Sequence, residues 1–172
     1  MNEYAVAAIG EDRPGIVAAV SAALNTAGAS IEDSSMTILG GHFAMLLLVQ
    51  GELVADQLEA GLRPVATELE LLLEVRPTTH RGVGVERDDY VVTAYGPDRP
   101  GLVTALARVL ADGGANVTDF GSRVTEGGVF WMGFNVTLAT GTDVGELEQQ
   151  LRAAGGEVSL DVSVHRAEGE SL

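Results

Sequence analysis

The chain contains no cysteine and no lysine. Without thiols there is no disulfide, no thiolate nucleophile and no cysteine-based metal site. All 10 basic residues are arginine and stand against 25 acidic ones, a formal charge of -15. A surface of that sign repels phosphate backbones and anionic lipid at long range, so direct nucleic-acid binding and a membrane partner are not expected. The charge also serves solubility, and by itself selects no partner. Aromatic residues are scarce, at 5% with one tryptophan. Phe130, Trp131 and Phe134 fall in one apolar stretch with no lysine around it, which reads as core or interface rather than a base-stacking platform. No run of about 18 apolar residues and no basic start leading into an apolar segment is present, so a cytoplasmic protein is expected.

What is abundant is repetition. Tyr4-Ala-Val-Ala-Ala-Ile-Gly-Glu-Asp-Arg-Pro-Gly-Ile-Val returns as Tyr90-Val-Val-Thr-Ala-Tyr-Gly-Pro-Asp-Arg-Pro-Gly-Leu-Val, and Gly28-Ala-Ser-Ile-Glu-Asp returns as Gly114-Ala-Asn-Val-Thr-Asp. The offset, 90 less 4 or 114 less 28, is 86 positions in both cases, so the match runs without a gap. A period that long implies two copies of a small domain, each with its own core, rather than a solenoid. We place the first unit at residues 1-78, a linker at 79-88 and the second unit at 89-172. The stretch from Arg76 to Asp89 is polar, carries Pro77, His80 and Gly82-Val-Gly84, and lacks periodicity, as most of a linker should.

Each unit reads as strand, helix, strand, strand, helix, strand. Residues 3-9 form a short apolar strand, and Ile16, Val17, Val20, Ala23, Leu24 and Ala27 recur at helical spacing until Gly28 stops the helix. Residues 30-38 and 43-50 flank Gly40-Gly41 as a hairpin; Val54, Leu58, Leu62 and Val65 mark a second helix that Pro64 should kink or end; Leu69 to Arg76 closes the unit. The second unit repeats this with strands 90-95, 116-124, 129-138 and 157-165 and helices 100-112 and 143-154. In its last strand Val158, Leu160, Val162 and Val164 alternate with polar residues. The order is the split βαβ pattern, an α+β fold of two ferredoxin-like βαββαβ units with both helices on one face of an antiparallel sheet. Apolar strands around Phe43 to Leu48 and Val129 to Phe134 are expected to be covered by association. The tail from Ala167 to Leu172 should fray.

Catalysis finds little support. His42, His80 and His165 fall in a hairpin tip, the linker and a last strand, so none has metal-ligand spacing, and no serine sits in a nucleophile-elbow context. Gly82-Val-Gly84 is not a dinucleotide fingerprint. We therefore expect no catalytic residue, no metal and no cofactor. The repeated loops Asp12-Arg13-Pro14-Gly15 and Asp98-Arg99-Pro100-Gly101 stand where the first strand hands over to the first helix. Proline suits an opening helical position and aspartate can cap the free amides, a reading that needs no ligand. A glycine in the first helical turn, which costs about 1 kcal/mol against alanine, instead suggests that another group approaches the exposed N–H donors. Asn116 and Ser30 open the second strand of each unit, and Asp33 and Asp119 recur at matching positions beside them.

A βαββαβ unit with Gly-x-Asp-Arg-Pro-Gly-Ile/Leu-Val at the first helix and Gly-Ala-Asn/Ser-Ile/Val at the next strand resembles the ACT domain, a ligand-binding regulatory module. Two such units, with Asp33-Ser-Ser-Met-Thr and the Phe43 strand, are similar to the glycine cleavage system transcriptional repressor family. The resemblance implies a non-enzymatic regulator that binds a small amino acid, glycine or serine favoured, where the first loop of one module meets the second strand of another. It further implies homo-oligomers and a regulatory protein partner. By that resemblance Asp12, Arg13, Pro14, Gly15 and Ile16 form one loop, Asp98, Arg99, Pro100, Gly101 and Leu102 the other, and Ser30 and Asn116 are the facing positions. Ser30 in place of asparagine, and Leu138-Ala-Thr-Gly at the end of the seventh strand, depart from the family pattern. Two rivals remain: a small acyl-phosphate hydrolase using Arg99 and Asn116, and a ligand-free adaptor.

Overall fold

A computed structural model describes residues 1–79 and 87–167. The chain divides into two compact units, Met1–Gly82 and Val83–Leu172. Unit 1 runs β1 (Asn2–Glu11), α1 (Ile16–Thr26), β2 (Ser30–Leu39), β3 (His42–Gly51), α2 (Ala55–Glu68) and β4 (Leu72–Thr78). Unit 2 repeats it as β5 (Arg87–Pro97), α3 (Leu102–Asp112), β6 (Asn116–Val124), β7 (Val129–Ala139), α4 (Val144–Glu157) and β8 (Asp161–Arg166). Each sheet has four antiparallel-paired strands, in the orders β2-β3-β1-β4 and β6-β7-β5-β8. His80 and Gly82-Val-Gly84, and all of the tail beyond Ala167, lie outside the described residues.

Alternation sends one face of each sheet to the helices. In unit 1, Tyr4, Val6 and Ala8 of β1 and Phe43, Met45, Leu47 and Val49 of β3 meet Ile16, Val20 and Leu24 of α1 and Leu58 and Leu62 of α2. In unit 2, Val92, Ala94, Met132, Phe134 and Val136 meet Leu102, Leu106, Leu110, Leu147 and Leu151. The helix pattern of apolar positions three and four apart is thus what closes each core. β3 and β7 are central strands: Phe43, Met45 and Leu47, like Met132 and Phe134, are buried within their own unit, while Leu46 and Val129 stay exposed. The edge strands are β2 and β4 in unit 1 and β6 and β8 in unit 2, and every residue of β2 and β6 is exposed.

Several boundaries differ from the sequence reading. The last strands begin later than expected, at Leu72 and Asp161, because the preceding residues are spent ending a helix. Glu70 and Ser159 adopt left-handed backbone, at φ 54° and 62°. The amides of Leu71 and Leu160 then reach back to the carbonyls of Ala66 and Gly155 at 2.8 Å. Leu160 therefore packs into the core from a turn. Helix α2 continues through Pro64 to Glu68, since Leu62 and Val65 on either side of it are anchored in the core. Arg76 and Pro77 belong to β4 and Arg87 to Asp89 to β5, so of the linker expected at 79-88 the residues Arg87 and Asp88 are strand. The edge strands β2 and β6 each carry a β-bulge at the same place, between Ile31 and Asp33 and between Val117 and Asp119. The extra residue turns Asp33 and Asp119 away from the helix-covered face, where strict alternation would have aimed them.

Candidate functional site

The two repeated loops have nearly the same backbone. Gly15 and Gly101 are the N-caps of α1 and α3, with φ 95° and 91°, so each helix starts one residue after its glycine. The expectation of a glycine within the first helical turn is thus corrected. The glycine is there because an L side chain resists that backbone. Pro14 and Pro100 precede the cap rather than opening the helix. Neither helix has a side-chain cap, so Asp12 and Asp98 do not cap as their position suggested. The intrahelical ladder begins only with Ala19 and Ala105, which donate to Gly15 and Gly101 at 2.9 Å and 3.0 Å. The amides at the front of both helices are therefore unpaired donors with positive potential. A Cβ built on Gly15 or Gly101 meets nothing within 4 Å.

Asp12, Pro14, Gly15, Asp98, Arg99, Pro100 and Gly101 are exposed. Ile16 and Leu102 are core residues, each 2% exposed, and bring only backbone to the loop. The loops differ in their arginines. Arg13 donates to Glu70 at 2.7 Å and to Glu11 at 3.4 Å, and the hydrogen bond to Glu70 raises its pKa above the ordinary value. In unit 2 the matching positions are Pro97 and Ser159, and Arg99 has no hydrogen bond or ion pair among the described residues. Unit 1 therefore neutralises its loop cation, and unit 2 leaves it open. Sequence reasoning missed Glu70 because it reaches the loop only through the β1–β4 pairing.

In unit 1 a hollow of about 420 Å³ lies against the loop, lined by Asp12, Arg13, Gly15, Val17, Met36 and Phe43 among others. Met36 and Phe43 were not anticipated. Strand direction would have found them, because β1 ends where β3 begins, with Gly10 opposite Phe43. Ser30 is not there. It pairs with Gln50, which pairs with Glu3 at the start of β1, so it stands at the far end of the sheet from the loop. Asn116 is likewise opposite Thr137 and thence Asp89, eight residues before Pro97. At about 3.3 Å per residue, loop and strand start are some 25–30 Å apart within one unit. A hydrolase needing Arg99 and Asn116 of one unit on a single phosphate is excluded by that separation. The Ser30 end of β2 borders a second hollow of about 460 Å³, lined by Glu3, Glu32, Asp33, Gln50, Thr78 and Thr79 among others. Among the described residues no helix is long and apolar enough to cross a membrane.

Comparison with known proteins agrees with the geometry. Over 77 residues the chain is 36% identical to the glycine cleavage system transcriptional repressor of Escherichia coli (strain K12), which is 44% of this chain and 40% of that protein. It thus spans well under half of that relative. It is 40% identical over 75 residues to a UPF0237 protein of Methanopyrus kandleri, covering 43% of this chain and 82% of that one. Among solved structures, an unknown protein from Galdieria sulphuraria superposes with a TM-score of 0.83 at 26% identity, over 97% of this chain and 99% of that one. A candidate glycine cleavage system transcriptional repressor superposes at 0.76 with 19% identity over 98% of both chains, a likeness of fold. The ACT domain model matches residues 5–76 and again 88–165, one match per unit; with that doubled match and the doubled βαββαβ sheet beneath it, the chain belongs to the ACT domain family.

Proposed function

We propose that this chain is a non-enzymatic regulator that binds a small amino acid, glycine or serine favoured, and passes its state to a protein partner. The observation that carries the reading is the repeated, uncapped helix start beneath an open glycine. In unit 2 Arg99, without a hydrogen bond or ion pair among the described residues, stands beside it. Helix-start amides and a free guanidinium favour a carboxylate. A zwitterion is net neutral, so the acidic surface opposes it little, whereas a phosphorylated metabolite would be repelled. Because the loop and the second-strand start lie at opposite ends of a unit, a site using both needs two modules. β1 and β2 run in the same direction, so antiparallel pairing of two β2-type edges would carry the Asn116 or Ser30 end of one module to the loop end of the other. Asp98 and the Asn116 carbonyl oxygen would then take the ammonium.

Calorimetry tests this. Glycine has five heavy atoms, and at no more than about 1.5 kcal/mol per atom its Kd stays at or above the low micromolar range. Binding is expected between micromolar and millimolar, weakened strongly by Asp98→Ala, Arg99→Ala or Asn116→Ala and less by Asp12→Ala. If none of the twenty amino acids binds at about 10 mM, the effector reading fails and the adaptor takes its place.

A further inference from the structure

Each sheet turns one face to its helices and the other outward, and the two outward faces differ. In unit 2 the outward positions are largely polar or aromatic: Thr93 shares a hydrogen bond with Ser163 at 2.7 Å, Tyr95 donates to Asp161 at 2.7 Å, and Asn135 lies beyond them. That is how a solvated antiparallel face should read. In unit 1 the same positions on the two central strands are apolar, and Leu72 stands where Asp161 does, with Glu74 in the place of Ser163. Ile9 and Leu46 are about half exposed, at 49% and 51%, and Leu72 is 77% exposed. Ala5, Ala7, Ala44 and Leu48 lie between them, half-buried.

The pairing register arranges these residues in rows across β2, β3, β1 and β4. One row reads Thr37, Ala44, Ile9, Leu72; the next Ser35, Leu46, Ala7, Glu74; the next Asp33, Leu48, Ala5, Arg76. On the two central strands every row pairs one large side chain with one alanine. The outer ends of the third row carry opposite charges. A two-fold axis lying between two facing sheets and running along the strands reverses each row left to right while keeping it at its own height. Each row then meets its own complement. Leu46 and Leu48 of one copy fall over Ala7 and Ala5 of the other, Ile9 falls over Ala44, and Arg76 faces Asp33. We propose that this outward face of unit 1 is the contact between two copies of the chain.

The surroundings favour a second copy. The molecule carries a charge of -15, so most of its surface repels another copy, whereas these three rows hold one base and two acids. The three rows lie about 6.7 Å apart and cover roughly 20 Å of strand, so four strands about 4.8 Å apart give about 400 Å² per copy and about 800 Å² in all, the size of a weak, reversible contact. Alanines over leucines suit the spacing of about 10 Å at which aligned sheets pack. The contact uses the outward side chains of the sheet, those of β2 included, and not the helix-start loops or the open backbone rim of β2.

Sedimentation of the full chain without any amino acid, over about 1–100 µM, tests it. The wild type is expected to dimerise. Arg76→Asp and Asp33→Arg each place two like-charged pairs across the two-fold and should raise the dimer Kd about tenfold or more. The double variant restores opposite charges and should return to within about threefold of wild type. A strict monomer at about 100 µM, single variants that dimerise unchanged, or a double variant left as weak as the singles would each overturn the proposal.

Discussion

Three glycines of unit 2 should answer the same substitution in three different ways. Gly101→Ala adds a methyl group to open space, but on backbone at φ 91°, where an L residue is strained by about 1–2 kcal/mol. Gly155→Ala stands in α4 at ordinary φ, yet its Cβ would lie against the Val162 side chain and 3.2 Å from the Leu160 carbonyl oxygen. Overpacking of that kind costs about 1–3 kcal/mol. Gly156→Ala, next to it in the same helix, meets nothing within 4 Å and has no positive φ, so it should stabilise by up to about 1 kcal/mol through helix propensity. The only tryptophan of the chain, Trp131, lies in β7 of this unit, so its fluorescence during urea unfolding reports unit 2 alone. With an m-value of about 1 kcal/mol/M for a domain this size, the midpoint should fall by about 1–2 M for Gly101→Ala and about 1–3 M for Gly155→Ala, and rise by up to about 1 M for Gly156→Ala. A Gly101→Ala midpoint equal to wild type would refute the claim that backbone conformation explains this glycine, and leave the approach of a ligand as its reason.

Leu106→Ala opens a cavity at a residue with 0% exposure and should cost about 2–5 kcal/mol in the same assay. The Tyr95 phenol is held above the ordinary tyrosine range by its hydrogen bond to Asp161. A folded pKa raised in this way means that the stability the contact contributes is present below the unfolded value near 10 and is lost as pH rises through the folded one. Asp161→Asn should bring the phenolate absorbance step of Tyr95 to lower pH, and a step that does not move would show that the carboxylate is not the cause.

The repeat, its offset and the order of elements were legible because they rest on hydrophobic period and glycine position, which the fold obeys almost everywhere. Gly28 and Gly114 end their helices in left-handed conformation as the pattern implied. The errors gathered where tertiary contacts outweigh local pattern. Val158 to Leu160 alternates like a strand, but hydrogen bonds at the end of α4 claim those residues first. Pro64 marks a break that core packing around Leu62 and Val65 overrides. The loops were found as loops, yet their chemistry depends on strand order. Arg13 is occupied by a carboxylate 57 positions away, and Ser30 stands at the far end of the sheet from the loop of its own unit. Spacing along the chain does not encode either relation.

The doubled bulge bears on what the open edges of the sheets can accept. β2 and β6 each offer an unpaired backbone rim, and a rim of that kind ordinarily templates any extended segment that comes near. One extra residue near the start of each rim breaks the even spacing of its outward N–H and C=O groups. A stray regular strand laid along it therefore falls out of step at Glu32 or Thr118 and forfeits the ladder beyond, while a strand with a matching irregularity keeps it. The backbone itself screens its neighbours by rhythm, before any side chain is read.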